Sequence, residues 1–253
     1  VSSIFISSLI LFLTSLIIHA GVDAPAVSPT ISAALSLSAS SSDRWLHCPP
    51  SARLCETYED KGSDYAAEGT DAHALGEYKL KTALGISADD PTDSLKWYSE
   101  EMEDATSGYA EYVLEQIEAA KETCADPVVL IEQRVDFSRW VEQGFGTADC
   151  IIIADGTLRV IDYKHGLGVL VSAEGNPQMQ CYSLGALELF DALYDIDKVS
   201  MTIYQPRRQN VSTYEISKED LYRWADEVLK PTAELAFAGD GNCLCGEWCG
   251  FCK

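Results

Sequence analysis

Asp149, Asp162 and Lys164 are the side chains in this sequence best spaced to do chemistry together, and they lie within one stretch, FGTADCIIIADGTLRVIDYK, residues 145–164. Ala154-Asp155-Gly156-Thr157 sets Asp-Gly between two apolar runs, the signature of a hairpin closed by a two-residue type I′ turn. That turn fixes the register: Ala154 faces Thr157, so Asp149 falls directly opposite Asp162. Period-two alternation then puts Asp149, Ile151 and Ile153 on the same face as Leu158, Val160, Asp162 and Lys164. Carboxylates opposed across neighbouring strands lie roughly 5 Å apart at Cβ and repel one another. A hard divalent cation between them removes that penalty, because Mg²⁺ is held by one or two carboxylates and keeps several waters. Lys164 would then stabilise a developing negative charge or orient a water. The plainer alternative is an exposed hairpin whose edge charges guard against aggregation. It explains the charges, but not why they share a face with Ile151 and Val160.

Composition limits what such a site could serve. A chain of 253 residues can bury one sizeable core. Its net charge of −22 argues against a broad electrostatic footprint on nucleic acid. A local basic strip remains open, with Lys164, Arg207 and Arg208 as its candidates. Nine cysteines, an odd number, fit complete internal disulfide pairing poorly. They crowd towards the ends, with Cys48 and Cys55 early and Cys243, Cys245, Cys249 and Cys252 late.

The elements that must position the site can be read in order. Residues 1–20 are apolar and serine-rich without a Lys or Arg, close to the lower length limit for a spanning helix and similar to a signal segment. They lack a basic flank, and the expectation is a stretch foreign to the mature protein, followed by a linker to residue 35. A globular domain is expected over 36–240 and a cysteine-rich appendage over 241–253. Pro49-Pro50 should stop a short helix carrying Trp45 and Leu46, leaving Cys48 at its end. Residues 64–84 read as a helix with His73 and Glu77 on one face. Residues 87–107 read as an acidic loop and 109–122 as a charged helix. A strand is expected over 128–137, where Glu132 either reaches a metal or lies at the surface. Asn176-Pro177 opens a helix on which Gln178 and Tyr182 share a face. Two more strands follow at 201–205 and 211–217, then a helix capped by Ser217 and bent near Pro231. This order implies an α/β fold, a central mixed sheet flanked by helices with the acidic hairpin in its middle.

Three readings compete for the cysteine-rich end. Four local thiolates could bind Zn²⁺, or form disulfides if the chain is secreted. Alternatively, Cys249-x-x-Cys252 could join Cys48 in holding a [4Fe–4S] cluster, which needs four thiolates.

Taken together, Cys48-Pro49, Gly69-x-x-x-His73, Gly146-Thr147-Ala148-Asp149, Ile161-Asp162-Tyr163-Lys164, Gln178-x-x-x-Tyr182 and Cys249-x-x-Cys252 stand in the order of RecB-like PD-(D/E)xK nucleases. The wording of residues 144–190 resembles more closely a phage and prophage family catalogued as domain of unknown function 2800. The resemblance covers about residues 36–253. It implies a restriction-endonuclease-like core and a cytoplasmic DNA nuclease, an exonuclease rather than an endonuclease, serving phage DNA replication or recombination beside other phage proteins and not at a membrane. By that resemblance His73, Asp149 and Asp162 would bind Mg²⁺ or Mn²⁺, Lys164 would be catalytic, and Gln178 and Tyr182 would lie near the DNA. Cys48, Cys249 and Cys252 would hold the cluster, with a fourth ligand beyond Lys253 or supplied by Cys243 or Cys245. His165 stands where Thr or Tyr is frequent, a departure expected to change little. The rival class is a non-catalytic DNA- or protein-binding module of a phage replication complex that keeps the fold without turnover.

Overall fold

The computed structural model describes residues 37–59 and 62–252. The apolar stretch 1–20 and the linker to residue 35 lie outside the described residues. A turn of 3₁₀ helix at Ala39–Ser41 leads into α1 (Ser42–His47), which Pro49-Pro50 ends, and α2 (Ser51–Glu56) follows at once. Helix α3 (Asp64–Ala83) starts where the Ser63 hydroxyl accepts the Ala66 amide. Helix α4 (Glu100–Lys121) begins earlier than the sequence suggested. Ser99 caps it by accepting from Met102, and Glu100, Glu101 and Glu103 load its first turn. Acidic side chains there complement the positive end of the helix dipole, so composition that resembles a loop belongs to a helix start.

Strands β1 (Val128–Asp136), β2 (Phe145–Ala154) and β3 (Thr157–Tyr163) form an antiparallel meander. Helix α5 (Pro177–Tyr194) then crosses over to β4 (Lys198–Gln205), which runs parallel to β3, and β5 (Asn210–Ser217) closes the edge. The sheet order is therefore β1-β2-β3-β4-β5, a mixed sheet with helices on both faces, which makes the fold α/β. Asn176 caps α5 by accepting the Met179 amide, with Pro177 in the first turn where no donor is missed. After Ser217, α6 (Lys218–Trp224) passes through a π-helical segment, Ala225–Leu229, into α7 (Lys230–Ala238). Pro231, which has no N–H to donate, sits in the first turn of α7, just after that widened segment.

The hairpin register is the expected one. Ala154 pairs with Thr157, and pairing continues to Cys150 opposite Ile161. Alternation sorts the apolar side chains into two layers. Ile151, Ile153, Leu158 and Val160 face α5 with Met179, Leu184 and Leu187. Cys150, Ile152, Ile161 and Tyr163 face α3 and α4, against Leu75, Leu80, Tyr109 and Val113. At Gly185 a Cβ would lie 2.9 Å from the Val135 side chain and 3.0 Å from the Asp136 amide, so its absence lets α5 lie close on β1. Among the described residues no helix is long and apolar enough to cross a membrane.

Candidate functional site

Beyond Cys150 and Ile161 the hairpin opens. The next residues in register are Asp149 and Asp162, and there the Asp149 carboxylate replaces a ladder bond by accepting the Tyr163 amide through Oδ2 at 2.6 Å. Its other oxygen, Oδ1, lies 3.3 Å from His73 Nδ1 on α3. The β1–β2 register carries the row one strand further. Ile131 pairs with Cys150 and Gln133 with Ala148, which leaves Glu132 beside Asp149. Glu132 takes a left-handed backbone, φ 52°, inside the strand. Its carboxylate comes within 4.8 Å of the ligand atoms of His73 and Asp149. Glu132, Asp149 and Asp162 thus form a row of carboxylates across three neighbouring strands.

Asp149 and Asp162 are 7% and 2% exposed. The Lys164 ammonium forms an ion pair with Asp162 Oδ2 at 2.9 Å. Lys164 also donates to Gln178 Oε1 at 3.0 Å, and Gln178 Nε2 donates to the Tyr182 hydroxyl at 2.9 Å. Gln178 and Lys164 line a cleft of about 470 Å³, together with Ser40, Arg44, Leu170 and Asn176. Tyr182 is buried and touches this arrangement through Gln178. Gln178 thus holds Lys164 from the cleft wall and is itself held by Tyr182.

Burial and like charge shape the protonation. Burial, then Asp149, pushes the Glu132 carboxyl up to about 7. Burial, with Asp149 adding to it against the pull of Lys164, raises Asp162. Burial lowers the His73 imidazole, but the sum of its interactions with Asp149 and Asp162 outweighs this and lifts it to about 9. The Lys164 ammonium is opposed by burial and held protonated by Asp162. Taken together, burial and the neighbouring charges thus favour the protonated forms of Glu132, Asp162 and His73, protons that a bound cation would displace. The donor set fits a divalent cation: the carboxylates of Glu132 and Asp149 and the His73 imidazole lie within 4.8 Å of one another, and the buried Asp162 carboxylate stands on the next strand.

The sequence named His73, Asp149 and Asp162 as ligands. The set the structure gathers within mutual ligand distance is His73, Glu132 and Asp149, with Asp162 on the far side of Asp149 beside Lys164. Arg207 does not supply the expected basic strip. It pairs through two nitrogens with Glu101, at 2.9 and 3.0 Å, and with Glu68 at 2.9 Å. Arg208 donates to the Leu167 carbonyl. His165 has more consequence than expected. It is buried, shares a 2.8 Å hydrogen bond with the Tyr163 hydroxyl, and lies 3.4 Å from Glu68, tying the end of β3 to α3.

The cysteine-rich end folds back onto the start of the domain. A 3₁₀ segment, Glu247–Phe251, places the Trp248 ring parallel to that of His47, with centroids 4.1 Å apart. The cysteine next to Cys252 is Cys55 of α2, its Sγ 3.9 Å away. Cys48, Cys249 and Cys252 do not come together at the range that unites His73, Glu132 and Asp149. The described residues thus do not present a complete cluster site, and no chemistry is derived through one. Of the two early cysteines, Cys55 is the one that lies beside Cys252.

Among solved structures, one described as "Crystal structure of SSO0001" is 15% identical, with 70% of this chain and 90% of that chain covered and a TM-score of 0.28. At that score the likeness carries no argument. The family model for "Protein of unknown function (DUF2800)" matches residues 34–253. The chain belongs to the DUF2800 family.

Proposed function

We propose that this protein is a metal-dependent deoxyribonuclease that hydrolyses phosphodiester bonds. The observation that carries the reading is the opposition of Asp149 and Asp162 at the open end of one hairpin, with the Lys164 ammonium 2.9 Å from Asp162 and aimed by Gln178. Asp149, Asp162 and His73 would hold Mg²⁺ or Mn²⁺. When bound, such a cation supplies Lewis acidity to a phosphoryl oxygen and lowers the pKa of a neighbouring water. Lys164 neutralises the charge that builds on the phosphoryl oxygens as the water oxygen bonds to phosphorus. The bond from phosphorus to the leaving sugar oxygen breaks. That oxygen takes up a proton, and one proton leaves the attacking water, so one water is consumed per bond cut. The family resemblance favours an exonuclease on phage or prophage DNA. The test is Mn²⁺-dependent cleavage of end-labelled single- and double-stranded DNA by wild type and Asp149→Asn. Loss of cleavage in a folded Asp149→Asn supports the assignment, and wild-type cleavage by that variant refutes it.

A further inference from the structure

The loop between β3 and α5 is fixed in place, yet it turns apolar side chains to solvent. Gln205, buried at the end of β4, donates from Nε2 to the carbonyls of Gly166 and Val169, both at 2.8 Å, and accepts from the Val171 amide at 3.2 Å. Arg208 donates to the Leu167 carbonyl at 3.0 Å, and Asn210 to that of Val171 at 2.9 Å. Within this frame Leu167, Val169 and Leu170 are 46%, 62% and 58% exposed. Single exposed apolar residues are ordinary, but three within four positions, on a backbone tied to the β4–β5 connection, make a fixed apolar surface. The ties run through backbone carbonyls and an amide, so polar side chains at the three positions would leave the frame intact. Val169 and Leu170 line the cleft together with Lys164 and Gln178, so a chain that brings a phosphate to Lys164 passes them. Arg44 and Lys164 are the basic side chains of that cleft, too little charge to hold nucleic acid by its backbone alone. A protein segment seated on the loop would close the cleft, which favours the substrate as the occupant.

We propose that Leu167, Val169 and Leu170 form a wedge that packs against base faces at a DNA end and separates the terminal pairs, so that one freed strand enters the cleft towards Lys164. The inference rests on the nuclease reading and adds the form of substrate the site takes, a duplex end opened by the protein. Apolar side chains inserted at a base step unstack it, and contact with base faces tolerates any sequence because every base has such a face. The frame made by Gln205, Arg208 and Asn210 suits this role. A loop already ordered in its binding shape loses little freedom on meeting the bases, whereas a mobile one would have to be ordered against them.

The experiment uses the full chain and a blunt DNA duplex with 2-aminopurine, which brightens on unstacking, in its terminal pair. Phosphorothioate linkages keep that end uncut, and Ca²⁺ is the cation present. Wild type is compared with a triple variant, Leu167→Ser with Val169→Ser and Leu170→Ser, and with Val169→Ser alone. The three side chains lie outside both core clusters, so the Tm of each variant should match that of wild type. Expected are a fluorescence rise with wild type, its loss in the triple variant, and binding of the duplex end about 10-fold weaker in that variant by anisotropy. Val169→Ser should fall between the two. With Mn²⁺ and unmodified DNA, the cleavage rate on a blunt duplex relative to one with an unpaired end should drop about 10-fold in the triple variant. No rise with wild type, whether or not it binds, overturns the wedge. An equal rise in wild type and triple variant also overturns it, and makes the loop a contact for a protein partner instead. Mn²⁺-dependent cleavage in either case leaves the nuclease reading standing by itself. A wild type that opens the duplex end but cuts neither DNA supports the wedge and overturns the nuclease reading.

Discussion

The Lys164 ammonium donates to Gln178 Oε1 at 3.0 Å, so a side chain that lines the cleft also holds the lysine beside Asp162. Tyr182 in turn fixes Gln178. Hydrogen bonds to charged groups contribute about 1.5–3 kcal/mol. Gln178→Ala should therefore lower kcat about 10–100-fold while KM for DNA changes little, and Tyr182→Phe should show a smaller loss in the same direction. Steady-state kinetics of the variants decide the matter. A rise in KM with kcat intact would make Gln178 a DNA contact after all.

The acid row makes the metal-free protein sensitive to pH. Burial and then Asp149 raise Glu132 to about 7 from a usual value near 4.5. The folded state thus binds more protons than the unfolded chain between those values, and this contribution to stability falls as pH rises through the window. Metal-free protein should melt at a higher temperature at pH 5 than at pH 8 as far as Glu132 is concerned. Glu132→Gln should flatten that slope and raise the pH 8 Tm by about 2–4 °C, the shift that 1 kcal/mol gives in a chain of this size. An unchanged slope in Glu132→Gln would place the carboxylate away from the row.

Two glycines of the sequence motifs differ sharply in their surroundings. A Cβ at Gly146 would run into the Tyr182 ring, whereas one at Gly69 meets nothing within 4 Å. Gly146→Ala should destabilise by about 1–3 kcal/mol through overpacking, and disturb the Tyr182–Gln178–Lys164 chain with it. Gly69→Ala, in the interior of α3, should stabilise by about 0.5–1 kcal/mol. Urea denaturation of both variants gives the comparison, and equal effects would contradict this packing.

A protein of net charge −22 whose Arg207 is committed to Glu68 and Glu101 has few cations to offer phosphate. Arg44 and Lys164 are the basic side chains lining the cleft. With two phosphate contacts, log Kd for duplex DNA should change against log salt with a slope no steeper than about 2. A slope of about 5 or more in fluorescence anisotropy would reveal a basic surface elsewhere.

The hairpin was legible because Asp155-Gly156 admits one turn, and a two-residue turn leaves no freedom in register. Asp149 opposite Asp162 followed at once, as did the burial of Ile151 and Val160. The place of Glu132 was not legible. β1 and β2 are joined by the longer turn around Trp140 and Gly144, whose length does not fix an offset, so nothing local aligned Glu132 with Asp149. The commitment of Arg207 was hidden for another reason: its partners Glu68 and Glu101 stand more than a hundred residues earlier. The start of α4 was missed although Ser99 and its acidic first turn spelled a cap. Acidic residues are common to loops and to the first turn of a helix, and only the Ser99 cap separates the two here.

The most direct test is the cleavage of end-labelled DNA with Mn²⁺ by wild type and Lys164→Ala, read beside their thermal unfolding. The account predicts metal-dependent cleavage by wild type and a fall of about 10²–10³-fold in Lys164→Ala, the loss that follows removal of one charge-stabilising donor, with the fold retained. Cleavage by folded Lys164→Ala at the wild-type rate, or none by wild type with Mn²⁺ bound, would contradict it.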